Sequence, residues 1–152
     1  MANLNTMDLI RITLIALAVS MLWFVLHVLG TWQLFRKAGK PAWRSIIPVL
    51  NIYDLFDIAW SGGMGVLFLL AVIADVGITA AGRITALPSY TVWIQLALSI
   101  LIIILALVMI HRLSKSFQRG FGTTLGLLFL PTLFRIILGY GAAVYAGPYH
   151  RN

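Results

Sequence analysis

The chain has 152 residues, of which 61% are hydrophobic and 10% charged, with a net charge of +7, no cysteine and a mean hydropathy of +0.99. A soluble domain carries about a quarter charged residues, so this chain cannot cover itself with polar surface and its solvent is lipid. Its basic residues gather at the ends of apolar runs, which is the pattern of membrane orientation and not of a nucleic-acid footprint. Nucleic acid is therefore excluded as a partner, and the lack of thiols excludes disulfides, thiolate metal sites and a cysteine nucleophile.

The composition predicts one membrane domain over 1–152, an all-α integral membrane protein. The first span is roughly Leu9 to Phe35, long enough at 1.5 Å per residue to cross the hydrocarbon with some tilt. Ala16-Leu17-Ala18 formally matches a cleavage site, but only Ile12 to Ile15 precede it as an apolar core. The run reads as an uncleaved helix. Asp8 and Arg11 are spaced to pair across one turn. His27, inside this span, is expected to bond a neighbouring carbonyl and not a metal.

The stretch Arg36 to Trp60 opens with Arg36, Lys37, Lys40 and Arg44 and breaks at Gly39, Pro41 and Pro48. It then sets Asn51, Asp54 and Asp57 three apart on one helix face. Segment 41–60 is too short and too polar to span, so a cytoplasmic interfacial or re-entrant helix is expected. The carboxylates of this polar face either meet water and the nearby Lys37, Lys40 and Arg44 or form a cation or partner site.

Three further spans follow, roughly 64–81, 90–110 and 121–138, giving four transmembrane helices in a four-helix bundle. The last carries Pro131 and Arg135 inside its apolar run. Seven basic residues follow spans one and three: Arg36, Lys37, Lys40, Arg44, Arg112, Lys115 and Arg119. Three, Arg11, Arg83 and Arg151, lie on the other side. The positive-inside rule puts the seven in the cytoplasm and, with four crossings, both termini outside. A faint internal echo, in which a basic glycine-containing loop precedes a proline-interrupted apolar run in each half (Pro48, Pro131), shares no residues beyond that outline and reads as coincidence.

Asp75 and Arg135 fall at depths differing by only about 5 Å if spans two and four both run outward. An unpaired charge in hydrocarbon is costly, so an intramembrane Asp75–Arg135 ion pair is expected. Ser114, Lys115 and Ser116 are adjacent in sequence and point apart on a helix, so they form no nucleophilic couple. No catalytic, metal or cofactor-binding constellation is found, and no cofactor is expected.

The run QLFRKAGKPAWRSIIPVLNIYDLFDIA, with SKSFQRGFGTTLGLLFLPTLFRIILGYGAAVYAGP later, resembles an uncharacterised family of small bacterial multi-pass membrane proteins. The matching positions are Ala38 to Pro41, Trp43, Ile47, Pro48, Asn51, Tyr53, Lys115 to Phe117, Gly120, Leu128 to Pro131, Gly139, Gly141, Tyr145, Gly147 and Pro148. That family is similar to the membrane region ahead of the catalytic domain in some bacterial type I signal peptidases. Here no room is left for that domain, so no peptidase activity is implied. The resemblance implies a bacterial inner-membrane location and no established activity. The expected function is a non-enzymatic accessory or partner-binding membrane component, in contact with membrane lipids and with a membrane-protein partner or a second copy. The alternative is a small oligomeric transporter or channel subunit using Asp54, Asp57, Asp75 and Arg135.

Overall fold

The computed structural model describes residues 5–85 and 88–149; Arg151, counted above among the outer charges, lies outside them. Every regular element within the described residues is helical: α1 (Thr6–Lys37), a 3₁₀ turn (Ala42–Ser45), α2 (Pro48–Ala59), α3 (Gly62–Ile84), α4 (Thr91–Ser116), α5 (Phe121–Phe129) and α6 (Pro131–Tyr140). Three of these, α1, α3 and α4, are long and apolar enough to cross a membrane. The other pieces gather at one end of the molecule.

α1 stops there for a local reason. Gly39 adopts φ +71°, Lys40 N–H donates to Phe35 O (2.9 Å) and Gly39 N–H to Arg36 O (3.2 Å). This is a Schellman cap, whose left-handed position suits glycine. The chain then doubles back along α1 through the 3₁₀ turn until Pro48, fixed at the first position of α2, starts a helix running the other way. Ion pairs tie Lys40 to Asp57 and Arg44 to Asp54, so residues 40–44 lie antiparallel to α2. The segment packs into the protein interior, since its buried face carries Asn51, Asp54, Leu55, Phe56, Ile58 and Ala59.

α4 ends in the same motif. Arg119 N–H reaches Ser114 O (3.0 Å) and Gln118 N–H reaches Lys115 O (2.9 Å), but the left-handed position is held by Gln118 at φ 55°. The expected span 121–138 then departs from prediction. It is broken at Leu130 (φ −132°, ψ 60°) into α5 and α6, because Pro131 has no N–H and its ring clashes with a continuing turn. Each half is about 15 Å long, half the hydrocarbon thickness. α5 leaves the α4 terminus, with Ser114 Oγ donating to Gly120 O (3.0 Å), and α6 returns to that same end. Gly126 makes the tight reversal feasible, because a Cβ there would run into the Phe134 ring.

The return is fixed by contacts along α1. Thr132 meets His27, Ile136 meets Gly30, and Gly139 meets Gln33 and Leu34, so α6 runs parallel to α1. Lys37 Nζ then donates to Leu138 O (2.9 Å), Ala143 O (3.1 Å) and Gly141 O, satisfying the open carbonyls at the helix end. Ala146 N–H reaches Ser116 O (2.8 Å) and Tyr149 N–H reaches Ala59 O (3.3 Å). Asn5 and Tyr149 therefore lie at opposite ends of α1, whereas the expectation of both termini on one side assumed a fourth crossing.

The outline dismissed as coincidence recurs in space. Each of α1 and α4 ends in a Schellman cap, is followed by a returning segment, and feeds a helix begun by proline. α2 packs on α4 while α6 packs on α1. The interior sits entirely at this end, built from Leu34, Phe35, Leu55, Phe56, Ile58, Leu105, Met109, Leu113, Phe117, Leu127 and Leu138. The irregular segments flank this core and stay largely exposed, as at Pro41, Trp43, Ile46, Ile47 and Gln118 to Gly120. The outer part of α1, Leu9 to Leu26, is exposed on every side.

Candidate functional site

α2 is the hub where the expected polar face ends up. Asp54 is fully buried and accepts from Arg44 Nη1 at 3.2 Å; its Oδ2 has no partner. Asp57, one turn on, takes the Lys40 ammonium. Asn51, also buried, donates through Nδ2 to Ser45 O (3.0 Å), pinning the turn that precedes α2. All three stripe residues thus bind the incoming segment 40–45 and hold it against α2. Of the basic residues expected nearby, Lys40 and Arg44 meet the carboxylates; Lys37 goes to the α6 terminus instead.

The far end of α2 is tied to α4 and the tail. Tyr145 Oη donates to Ile58 O (3.0 Å), Ser116 Oγ lies 3.5 Å from Ala59 O, and Arg112 Nη1 donates to Tyr149 O (2.8 Å). The Arg112 guanidinium lies 4.2 Å from the Trp60 ring centroid, a favourable cation–π distance. Burial, reinforced by the Asp57 charge, pushes the Tyr145 phenol above its ordinary pKa, so it stays a donor.

Asp75 and Arg135 are not brought together. Three ion pairs form among the described residues, Asp8–Arg11, Lys40–Asp57 and Arg44–Asp54, the first as its spacing predicted. The depth match assumed that 121–138 ran outward beside α3. Because α6 returns against α1, Arg135 faces His27 instead, with Nη1 3.1 Å from His27 Nε2. A guanidinium only donates, so Nε2 accepts, the imidazole proton sits on Nδ1, and that N–H points to Thr132 Oγ1 at 3.4 Å. His27 therefore bonds side chains of α6 and not a carbonyl. Asp75 stays on α3, where Thr79 Oγ1 donates to its backbone carbonyl (2.9 Å).

The His27–Arg135 contact was missed in the sequence, and Pro131 was the signal that could have found it. A proline splitting an eighteen-residue run leaves two pieces that each reach only halfway across. Together His27, Asn51 and Arg135, with Pro48, Ile52 and Leu55, line a cavity of about 260 Å³ where α1, α2 and α6 meet.

Residues 43–148 match DUF5684, a family of unknown function. The chain belongs to this family. The match begins inside the 3₁₀ turn, takes in α2 to α6 and most of the tail, and leaves α1 outside. No curated protein and no solved structure matches the chain, and nothing ties it to signal peptidases.

Proposed function

We propose that this family member is a non-enzymatic component of the bacterial inner membrane that binds a membrane-protein partner through the outer half of α1. The observation that carries this reading is the exposure of Leu9 to Leu26 beside a fully packed opposite end. At 3.6 residues per turn, Thr13, Ala16 and Ser20 continue the α1 face that holds His27, Thr31 and Leu34 lower down. That lower face packs on α6, so the chain uses the same side for helix contact until α6 runs out. Above it, small and hydroxyl-bearing residues permit the close approach typical of helix pairs in lipid. Thr13 and Ser20 already donate to Leu9 O (2.8 Å) and Ala16 O (2.7 Å), leaving a smooth surface for a partner helix.

The end bearing Lys37, Arg44, Arg112 and Lys115 is the cytoplasmic one by the positive-inside rule. With three crossings this places Asn5 outside and Tyr149 inside. The polar residues of α2 support a structural role, because each is engaged in holding segment 40–45 against α2. A transport path would need Asp54, Asp57, Asp75 and Arg135 along one line, and they are divided among α2, α3 and the α1–α6 contact.

The test is site-specific photo-crosslinking in native membranes. A crosslinker at Ala16 or Ser20 should give one discrete protein adduct, and one at Val76, on the exposed face of α3, should not. With the crosslinker at Ala16, Ser20→Leu should remove the adduct while melting normally. An adduct equal to the mass of a second copy favours the oligomer. Lipid adducts alone from all three positions would refute the reading.

A further inference from the structure

Among the described residues, the three ion pairs leave the half-buried Arg135 without a carboxylate. Arg135 Nη1 meets only the neutral His27 ring, and Arg135 Nε, shielded from solvent, has no partner. Asp54 and Asp57 are committed to Arg44 and Lys40, and Asp75 lies on a helix that does not pack against α6. A cation held among apolar helices without a counter-charge is strongly disfavoured, so the missing partner is an anion.

The cavity at this point has a matching composition. Asn51, which lines it beside Arg135, has an Oδ1 that accepts no hydrogen bond, since its amide is turned by the bond from Nδ2 to Ser45 O. Arg135 and Asn51 therefore line the same 260 Å³ space, each with a shielded polar atom that lacks a partner among the described residues. The remaining walls are Pro48, Ile52 and Leu55, and the neighbouring Ile46, Ile47 and Val49 are exposed. The α2 N-terminus at Pro48 carries no side-chain cap, which adds a favourable dipole for negative charge.

Depth selects the kind of anion. Between the charged residues Arg11 and Lys37, α1 is about 39 Å long at 1.5 Å per residue. His27 lies about 15 Å from the Lys37 end, so the cavity lies in the leaflet on that side. We propose that this cavity binds the headgroup of an anionic glycerophospholipid from the leaflet on the Lys37 side. A phosphodiester oxygen accepts from the Arg135 guanidinium, and the acyl chains leave past Ile47 and Val49. This site is separate from the outer α1 surface and stands or falls independently of it.

The experiment uses the full chain, delipidated in a neutral maltoside detergent, with melting temperature as the readout. Phosphatidylglycerol at ten times its dissociation constant should raise the melting temperature by about 3–6 °C. Phosphatidylcholine, which has no net charge, should raise it by less than half as much. Glycerol phosphate at the same concentration should leave it unchanged. Arg135→Met should abolish the phosphatidylglycerol response while melting at or above wild type without lipid, because it removes an unpaired charge. If that variant does not fold, Ile52→Trp, which fills the cavity and keeps Arg135, should abolish the response instead. Equal stabilisation by phosphatidylcholine overturns the proposal, as does a response retained in the variants. An equal effect of glycerol phosphate overturns the lipid source in favour of a soluble phosphate ester.

Discussion

Replacing Gly139 by alanine tests the return of α6 against α1. The new Cβ would lie 3.0 Å from Gly30 O, 3.0 Å from Gln33 Cβ and 3.2 Å from Leu34 N. Two of these neighbours are α1 backbone and cannot rotate away, so α6 must shift outward by a few tenths of an ångström. That shift strains the Lys37 bond to Leu138 O, made next door. Overpacking of this kind costs about 1–3 kcal/mol, and alanine's better helix propensity returns at most about 1 kcal/mol. The expected net loss is about 1–2 kcal/mol, a fall of roughly 2–8 °C in a chain of this size. Gly77→Ala is the control, since nothing lies within 4 Å of its Cβ position in α3; it should be neutral or slightly stabilising. Thermal melting in detergent reads both. If Gly139→Ala melts with or above Gly77→Ala, α6 does not lie on α1 as described.

Other expectations follow from the same geometry. In the cysteine-free chain, Val144→Cys and Gln118→Cys should label with an impermeant thiol reagent from the same side of sealed vesicles; labelling from opposite sides would restore a fourth crossing. Gln118→Gly should stabilise by about 1 kcal/mol, because the left-handed backbone at φ 55° costs a side-chain-bearing residue that much, and an unchanged melting temperature would argue against the cap. Asp54→Asn should cost about 1–3 kcal/mol by leaving Arg44 unmatched, with part recovered in Asp54→Asn/Arg44→Met; wild-type melting of the single variant would mean the buried pair contributes nothing.

What could be read from the sequence rests on patterns that survive without a partner. Long apolar runs bounded by charge fix α1, α3 and α4, since crossing lipid requires only length and self-satisfied backbone bonds. Gly39, Pro41 and Pro48 mark breaks because glycine and proline act on their own backbone. The same local logic made the Arg36–Trp60 stretch recognisable as something other than a span, and Asn51, Asp54 and Asp57 all lie on α2.

The tertiary structure decided the rest. Whether Pro131 kinks a spanning helix or ends it is settled by what the next segment packs against, and glycines at 30 and 139 let α6 return along α1. That reversal took Arg135 away from Asp75 and set it against His27, 108 residues earlier in the chain. Charges pair with whatever the fold brings within a few ångströms, so matched depth along two runs predicts a partner only if both runs cross. The sequence by itself determined three runs long and apolar enough to cross a membrane, and the breaks at Gly39, Pro41 and Pro48. Only the packed structure determined which way the chain turned at each break, because direction is set by long-range contacts that no local pattern records.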